Sequence, residues 1–128
     1  MTREELSEIY HGYINCLNRQ DWEKLGDFVD YQVSYNGKRV GLESYRQMLE
    51  DDFRAIPDLF FNVELLLSDP PQIASRLHFD CKPIGVLFGV PVNGKHVQFD
   101  ENVFYEFTDE RIKKVWSIID KVAIADQI

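Results

Sequence analysis

The chain has 128 residues, of which 45% are apolar and 28% are charged. This composition is typical of a folded globular domain, and the length predicts a single domain over residues 1–128. The formal net charge of −8 argues against nucleic acid or an anionic membrane as a partner, because neither would attract this chain electrostatically. No apolar run approaches the roughly 20 residues of a membrane span.

Cysteine usage and the start of the chain favour a reducing cytoplasm. Cys16 and Cys81 are too few and too far apart for a disulfide scaffold or a zinc motif. The opening Met1-Thr-Arg-Glu-Glu is polar and helix-initiating, unlike a secretory leader. The three histidines match no ligand spacing, so no metal site is expected.

The first half of the chain predicts three helices. Thr2 and Glu5 form a capping box ahead of apolar residues at helical spacing. Asp21 is a suitable N-cap for a short second helix. A third helix is expected over residues 42–55, where Pro57 ends it. Tyr13 lies on the apolar stripe of the first helix, where its hydroxyl either reaches a pocket or is satisfied within the core.

The rest of the chain predicts antiparallel strands. A short strand over residues 32–35, which ends in Tyr35, runs into Asn36-Gly37, a strong hairpin signal. Beyond the third helix the hydrophobic period changes from 3.6 to two. Four longer strands follow, over residues 58–68, 72–82, 95–107 and 111–120. In the first of these, all odd positions from 59 to 67 are apolar and are expected to share one face.

Two further features leave alternatives open. Arg76, His78 and Asp80 share the polar face of the second long strand, which is either solvated or in contact with another subunit. His78 would instead carry protons if that face lined a cleft. Residues 83–94 form a loop rich in Gly and Pro that contains Phe88, and such an apolar loop is either a lid over a pocket or a subunit contact.

The last two strands carry the candidate catalytic groups. Period two places Trp116, Ile118 and Asp120 on one face of the last strand. Glu101 falls on the apolar face of the preceding strand, with Phe99 as its neighbour. If Phe107 pairs with Ile112, Glu101 and Asp120 become diagonal neighbours roughly 7–8 Å apart. Two carboxyls in apolar surroundings would split their pKa values and suit acid–base chemistry, although a strand end in water explains Asp120 equally.

Three helices followed by long antiparallel strands predict an α+β domain, with the helices packed on one face of a curved sheet. A sheet that curls around helices leaves a tapered apolar cavity, which is a natural ligand site. An open sheet also leaves one face to be covered or solvated, which favours a homodimer.

Three motifs carry a family resemblance. They are Ala55-Ile-Pro-Asp-Leu59, Gly89-Val-Pro-Val-Asn-Gly-Lys95 and Arg111-Ile112-(x)3-Trp116-(x)3-Asp120. In this order, along nearly the whole chain, they resemble the SnoaL-like polyketide cyclases and ester cyclases. The resemblance implies the cone-shaped fold of the nuclear transport factor 2-like superfamily, with three N-terminal helices packed on a curved, mostly antiparallel sheet that encloses a pocket. It also implies a homodimer.

The resemblance implies chemistry as well. The family's cyclases close a ring by an intramolecular aldol condensation without cofactor or metal, and the motif places their general acid/base on Asp120. The chain departs from the family at two places, and the first departure, the loss of a polar partner, counts against cyclase activity. Cys81-Lys82-Pro83 stands where the family often has Gly-Thr-His, so that histidine is absent. Asp109-Glu110 occupies the last turn, where glycine is usual.

Two hypotheses follow. The first is a cofactor-independent cyclase or isomerase for a small apolar carbonyl compound, with Asp120 and Glu101 as catalytic groups. Tyr13 or Tyr35 is the alternative to Glu101 for polarising the carbonyl oxygen. The expected pocket residues are Trp116, Phe99, Tyr13, Tyr35, Leu77, Phe88 and Ile118. The second hypothesis is a non-catalytic module of the same fold that binds a small apolar ligand or forms a dimer.

Overall fold

The computed structural model describes residues 1–128. The helices are α1 (Arg3–Asn18), a 3₁₀ helix (Trp22–Asp27), α2 (Gly41–Ala55) and α3 (Lys121–Asp126). The strands are β1 (Val29–Tyr35), β2 (Lys38–Arg39), β3 (Asn62–Asp69), β4 (Gln72–Cys81), β5 (Val86–Leu87), β6 (Val90–Pro91), β7 (Val97–Thr108) and β8 (Arg111–Ile119).

Six strands form one sheet in the order β2-β1-β8-β7-β4-β3, while β5 and β6 form a separate small hairpin. Every pairing in the large sheet is antiparallel except that of β1 with β8. The prediction of a mostly antiparallel sheet with helices on one face is therefore confirmed. This parallel pairing is possible because a long stretch of chain separates β1 from β8, so no hairpin forces these two strands to run antiparallel.

The core lies between α1, α2 and the inner face of the sheet. The Thr2 hydroxyl accepts a hydrogen bond from the Glu5 amide at 3.1 Å, which starts α1 as the capping box predicted. Tyr10 then packs its ring against Tyr105 of β7, with 5.0 Å between ring centroids. It also donates a hydrogen bond to the Ser75 hydroxyl of β4 at 2.9 Å. This contact fixes α1 on the centre of the sheet.

The helix prediction needs two corrections. The second helix is a 3₁₀ helix of six residues, and the Asp21 side chain makes no cap hydrogen bond to it. A further helix, α3, follows the last strand, and the Asp120 carboxylate caps it by accepting from the Ala123 amide at 3.1 Å. A helix of six residues contains too few turns for hydrophobic periodicity to reveal it.

Strand β3 does not keep its apolar residues on one face as predicted. The register between β3 and β4 shifts between Val63 and Leu65. Such a bulge inserts a residue and reverses the faces that follow it. Leu65 and Leu67 are consequently 54% and 61% exposed on the outer face of the sheet, whereas Phe61 before the bulge is 7% exposed.

A second bulge overturns the predicted faces of β8. Phe107 pairs with Ile112 as expected, but Glu106 pairs with Lys114, so Lys113 is an extra residue in β8. Beyond it Val103 pairs with Ser117, not with Trp116. Ser117 therefore turns toward the core, and Trp116 and Ile118 turn outward.

No helix of the chain is both long and apolar enough to cross a bilayer.

Candidate active site

Two small adjoining cavities lie between α2 and the inner face of the sheet. The inner lobe, of about 50 Å³, is lined by Tyr13, Leu17, Tyr35, Tyr45, Met48, Leu49, Asp52, Phe61, Leu77, Glu101, Val103, Tyr105 and Val115. The outer lobe, of about 30 Å³, is lined by Asp52, Ile56, Leu59, Phe61, Phe79, Phe88, Phe99, Glu101 and Ile119. Three residues, Asp52, Phe61 and Glu101, line both lobes. As they stand the lobes hold a few waters, and a larger ligand requires the side chains around it to move.

Two larger depressions lie elsewhere, but neither is lined by a buried carboxyl. One, of about 600 Å³, lies between the 3₁₀ helix, β1 and the start of α2, and its charged residues are all exposed. The other, of about 440 Å³, lies on the outer face of the sheet around Phe104 and Trp116. Carboxyls with perturbed pKa values in a concave site are the stronger indication of acid–base chemistry, so the two-lobed cavity is the candidate active site.

Glu101 is the central polar group of this cavity. Burial raises the pKa of its carboxyl, and a hydrogen bond donated by the Ser117 hydroxyl opposes that shift. No lysine, arginine or histidine lies within salt-bridge distance of Glu101. Ser117 is itself held by Asn36, whose side chain accepts from the Ser117 amide at 2.8 Å and donates to its carbonyl at 3.3 Å. The hairpin turn after β1 thus positions the one partner that Glu101 has.

Asp52, in the last turn of α2, is a candidate site residue that the sequence interpretation missed. The pKa of Asp52 is raised to about 7, mainly by burial of its carboxyl and to a smaller extent by repulsion from Glu101 and Asp51. The residue as a whole remains exposed, which places it at the mouth of the cavity. A signal was present in the sequence, because Tyr45, Asp52 and Ile56 fall on one stripe of α2 at helical spacing.

Four tyrosines, Tyr13, Tyr35, Tyr45 and Tyr105, form the rest of the polar lining, and the buried Tyr10 lies behind Tyr105. The hydroxyls of Tyr13 and Tyr45 lie 2.7 Å apart, and the Tyr10 hydroxyl lies 3.3 Å from that of Tyr105. Burial raises the pKa of Tyr10 to about 12 and raises the pKa values of the other three as well. Tyr35 is half-buried, and its pKa is also raised by burial. All five therefore stay protonated near neutral pH and remain hydrogen-bond donors.

The structure brings most of the predicted pocket residues together. The residues that line one lobe or both are Glu101, Phe99, Tyr13, Tyr35, Leu77 and Phe88. The loop that carries Phe88 contributes to the cavity, since its ring packs edge-on against Phe99 with 6.3 Å between centroids. Whether this loop moves as a lid stays a prediction.

Three predicted residues lie elsewhere. Trp116 and Ile118 are on the outer face of the sheet, so their assignment to the inner wall is wrong. Asp120 is exposed at the N-cap of α3 and lines neither lobe. The predicted sharing of one face by Glu101 and Asp120 is wrong because the bulge in β8 shifts the register by one residue. A catalytic role for Asp120 stays a prediction, and this placement gives it no support.

A polar cluster lies on the outer face. His78 Nδ1 is 2.8 Å from an Asp100 carboxylate oxygen and 3.7 Å from one of Glu64, and its Nε2 is 3.2 Å from the Gln98 side-chain oxygen. Glu64, His78 and Asp100 are close enough to share a cation. His78 and Asp100 are directly hydrogen-bonded to each other, so this pair needs no cation to satisfy it.

We expect His78 to titrate above the ordinary histidine pKa of about 6.5. The hydrogen bond to Asp100 raises its pKa, with smaller contributions from Gln98 and from the charges of Asp100 and Glu64. This pair therefore stabilises the folded protein fully at pH values below the pKa of His78 in the unfolded chain. That stabilisation is lost as pH rises through the pKa of His78 in the folded protein. NMR titration of the ring should show a lower pKa in Asp100→Asn and an unchanged one in Asp69→Asn. Equal titration in all three proteins would contradict the assignment.

Comparison with known proteins agrees with this geometry. The model of the SnoaL-like polyketide cyclase family matches residues 7–128. The chain belongs to this family. A SnoaL-like polyketide cyclase from Agrobacterium tumefaciens has a solved structure with 50% identity and a TM-score of 0.93, over 95% of this chain and 96% of that one. No curated protein sequence matches the chain.

More distant structures share the fold of these SnoaL-like proteins. IdmH from Streptomyces antibioticus, to which polyketide cyclase activity is ascribed, has 19% identity and a TM-score of 0.83 over 95% of this chain and 96% of that one. AclR from Streptomyces galilaeus, to which hydroxylase activity is ascribed, has 17% identity and a TM-score of 0.81 over 98% and 96% of the two chains. Because proteins with this one fold are described with two different activities, the activity of this chain has to be argued from its own side chains.

Proposed function

We propose that this SnoaL-like protein is a cyclase- or isomerase-type enzyme that moves protons on a small apolar ketone or ester, with Glu101 as general acid and base. The observation that carries the proposal is a carboxyl in an aromatic cavity with one neutral hydrogen-bond donor and no cation. Burial raises the pKa of such a group toward neutrality, where a general base is most effective. A pocket built only to bind apolar ligands gains nothing from an unpaired buried carboxyl.

The proposed step uses only side chains of the cavity. Ionised Glu101 takes a proton from the carbon next to the carbonyl, which leaves an enolate. The Tyr13 and Tyr45 hydroxyls make one hydrogen bond to each other, so one of the two O–H groups remains to donate to the enolate oxygen. Protonated Glu101 returns the proton to another carbon in an isomerisation. In a ring closure the enolate carbon first attacks a second carbonyl of the same molecule, whose C=O π bond opens to an alkoxide, and Glu101 gives its proton to that oxygen.

Deuterium exchange tests this proposal without knowledge of the natural substrate. The protein is incubated in D₂O with a panel of small cyclic ketones, aryl ketones and β-keto esters, and deuteration next to the carbonyl is followed by NMR. We expect at least one compound to exchange faster than in buffer, and Glu101→Gln to abolish the acceleration. Compounds that bind in the cavity but exchange only at the buffer rate would refute the proposal.

A second candidate, dimerisation with or without catalysis, is favoured by the outer face of the sheet. An exposed apolar strip, here called the outer stripe, consists of Leu65, Leu67, Phe104, Trp116 and Ile118. It runs across β8, β7 and β3, with Ala74 of β4 between Phe104 and Leu67. Phe104 and Ile118 are 58% and 74% exposed. No helix of the chain covers this face, and exposed apolar patches of this kind mark protein contacts. We infer that a second copy covers it.

We expect Phe104→Asp to convert a dimer into a monomer. A carboxylate at the centre of the outer stripe would be desolvated without a partner in the dimer, but it would face water in the monomer. Sedimentation equilibrium measures the change. Val122→Asp is the matched control, because Val122 is also exposed, on α3 and outside the stripe. A monomeric wild-type protein, or a Phe104→Asp variant that stays dimeric, would contradict this interface.

A cytoplasmic location is also proposed. Cys16 and Cys81 are both buried and unpaired. Free thiols are the usual state of cysteine in a reducing compartment. Fractionation of the native host should therefore recover the protein with the cytoplasmic fraction, and its recovery from an oxidising compartment would contradict the proposal.

A further inference from the structure

We propose that Asp52 is the proton-relay partner of Glu101. The two carboxyls form one coupled pair, whose outer member exchanges the proton of the inner member with water. The proposal rests on the proposed function of Glu101 and adds a second residue to the same site. Asp52 acts through Glu101 and is therefore a positioning and relay group.

The first support is the position of the two carboxyls. Asp52 comes from α2 and Glu101 from β7, so they approach the cavity from different elements. Both line the inner lobe and the outer lobe, where Phe61 is the one other residue they share. Any ligand that occupies the junction of the lobes lies beside both.

The second support is the contrast between Asp52 and its neighbour Asp51. The Asp51 carboxylate is engaged by Arg54 and by the Gln47 side chain on the outside of α2. The Asp52 carboxyl has no hydrogen-bond or ion-pair partner in the chain, although it faces the cavity. Pairing with an arginine would hold a carboxyl ionised, whereas an unpaired one can accept and release a proton.

The third support is the charge around the pair. The titratable groups that face it are Tyr13 from α1, Tyr45 from α2, Tyr35 from β1 and Tyr105 from β7. All four remain neutral, and Asp51 adds only further negative charge beside Asp52. With no cation among the lining residues of either lobe, two ionised carboxyls would repel each other. One proton is therefore retained by the pair near neutral pH, and the two groups titrate together.

The fourth support is the difference in exposure. Glu101 is partly covered and projects into the inner face, whereas Asp52 is exposed. A buried base that has taken a proton must lose it before it can act again. In the relay the proton passes from Glu101 to the Asp52 carboxylate, which leaves Glu101 ionised, and Asp52 then gives the proton to water.

Carboxyl-carbon NMR titration of the full chain tests the coupling. In the wild-type protein we expect Glu101 and Asp52 each to show two titration steps. Asp52→Asn removes the second titrating group, so Glu101 should lose the step that it shares with Asp52 and titrate in a single step. Glu101→Gln removes the charge that helps to raise the pKa of Asp52, so the pKa of Asp52 should fall and its titration should also become a single step. Glu50→Gln is the matched control, since Glu50 lies on the same helix and pairs with Arg46 outside the cavity; it should change neither curve.

The outcomes separate the relay from the proposed function. A single-step Glu101 titration in Asp52→Asn and a lower pKa of Asp52 in Glu101→Gln, with ketone exchange lost in Glu101→Gln, support both. Titration curves of Glu101 and Asp52 that are unchanged in these variants, with exchange lost in Glu101→Gln, overturn the relay alone. Full exchange in Glu101→Gln overturns the proposed function and the relay with it. Circular dichroism of each variant shows that the fold is retained, and a Glu106→Gln variant should behave as the wild type in both experiments.

Discussion

Replacing Glu101 by glutamine is expected to lower the rate of proton abstraction by about 10²–10⁴-fold. The amide has nearly the shape of the carboxyl and can keep the hydrogen bond to Ser117, but it cannot accept a proton from carbon. The measurement is the deuterium-exchange rate of a ketone that the wild-type protein turns over. Thermal unfolding of both proteins shows that the loss is chemical and not structural.

Glu106→Gln is the control for this prediction. Glu106 lies on the same strand, 3.6 Å from Lys114 and 3.4 Å from the Gln72 side chain, and it lines neither lobe. It loses the same charge, so we expect its exchange rate to match that of the wild type. An equal loss of rate in both variants would mean that net charge, and not the position of Glu101, controls exchange.

The pH dependence of this exchange has a defined sign. Only ionised Glu101 is a base, so the wild-type rate should rise with pH through the raised pKa of Glu101. The Ser117 hydrogen bond lowers that pKa, so Ser117→Ala should shift the profile to higher pH. Folding raises the pKa of Glu101, so the wild-type protein loses stability as pH rises through the interval between the unfolded and folded values. Glu101→Gln should avoid that loss and be the more stable protein above neutrality.

The sequence predicts the fold well because local signals and the global architecture agree in this chain. The capping box at Thr2 begins α1 in the structure, and the turn at Asn36-Gly37 joins β1 to β2. Glu101 was predicted to lie on an apolar face, and it does so because β7 runs without interruption from Val97 to Glu106 in its pairing with β4 and keeps its period of two. An ionisable residue that breaks an apolar alternation is therefore a useful indication of a site.

The errors about which strand face a residue occupies have one physical origin. A bulge changes which face every later residue occupies, and no residue type in Arg111 to Lys114 marks the insertion at Lys113. Trp116 and Asp120 were placed on the inner face for this reason. Asp52 was missed for a different reason, because its partner Glu101 is remote in sequence and only the packing of α2 on the sheet brings the two together.

Replacing Phe61 by alanine is expected to lower the free energy of unfolding by about 3–5 kcal/mol. Phe61 is 7% exposed and contacts Phe79 and Phe53, with 5.4 and 6.0 Å between ring centroids. Its backbone is held by Asn18, which accepts from the Phe61 amide at 2.8 Å and donates to its carbonyl at 3.1 Å. Because these two hydrogen bonds remain in the variant, the backbone cannot move in to fill the space left by the ring. The variant therefore bears most of the energetic cost of the cavity. Urea unfolding of the two proteins gives the difference.

Phe60→Ala is the matched control, since Phe60 is the adjacent residue and is 61% exposed. A surface truncation of this kind should change stability by about 0.5 kcal/mol or less.

Phe61 also lines both lobes, so its removal should join them into one larger apolar cavity. A small aromatic such as benzene should then bind Phe61→Ala and raise its unfolding midpoint, with no effect on Phe60→Ala. Equal losses of stability in the two variants, or no benzene effect on Phe61→Ala, would mean that Phe61 does not separate the lobes as described.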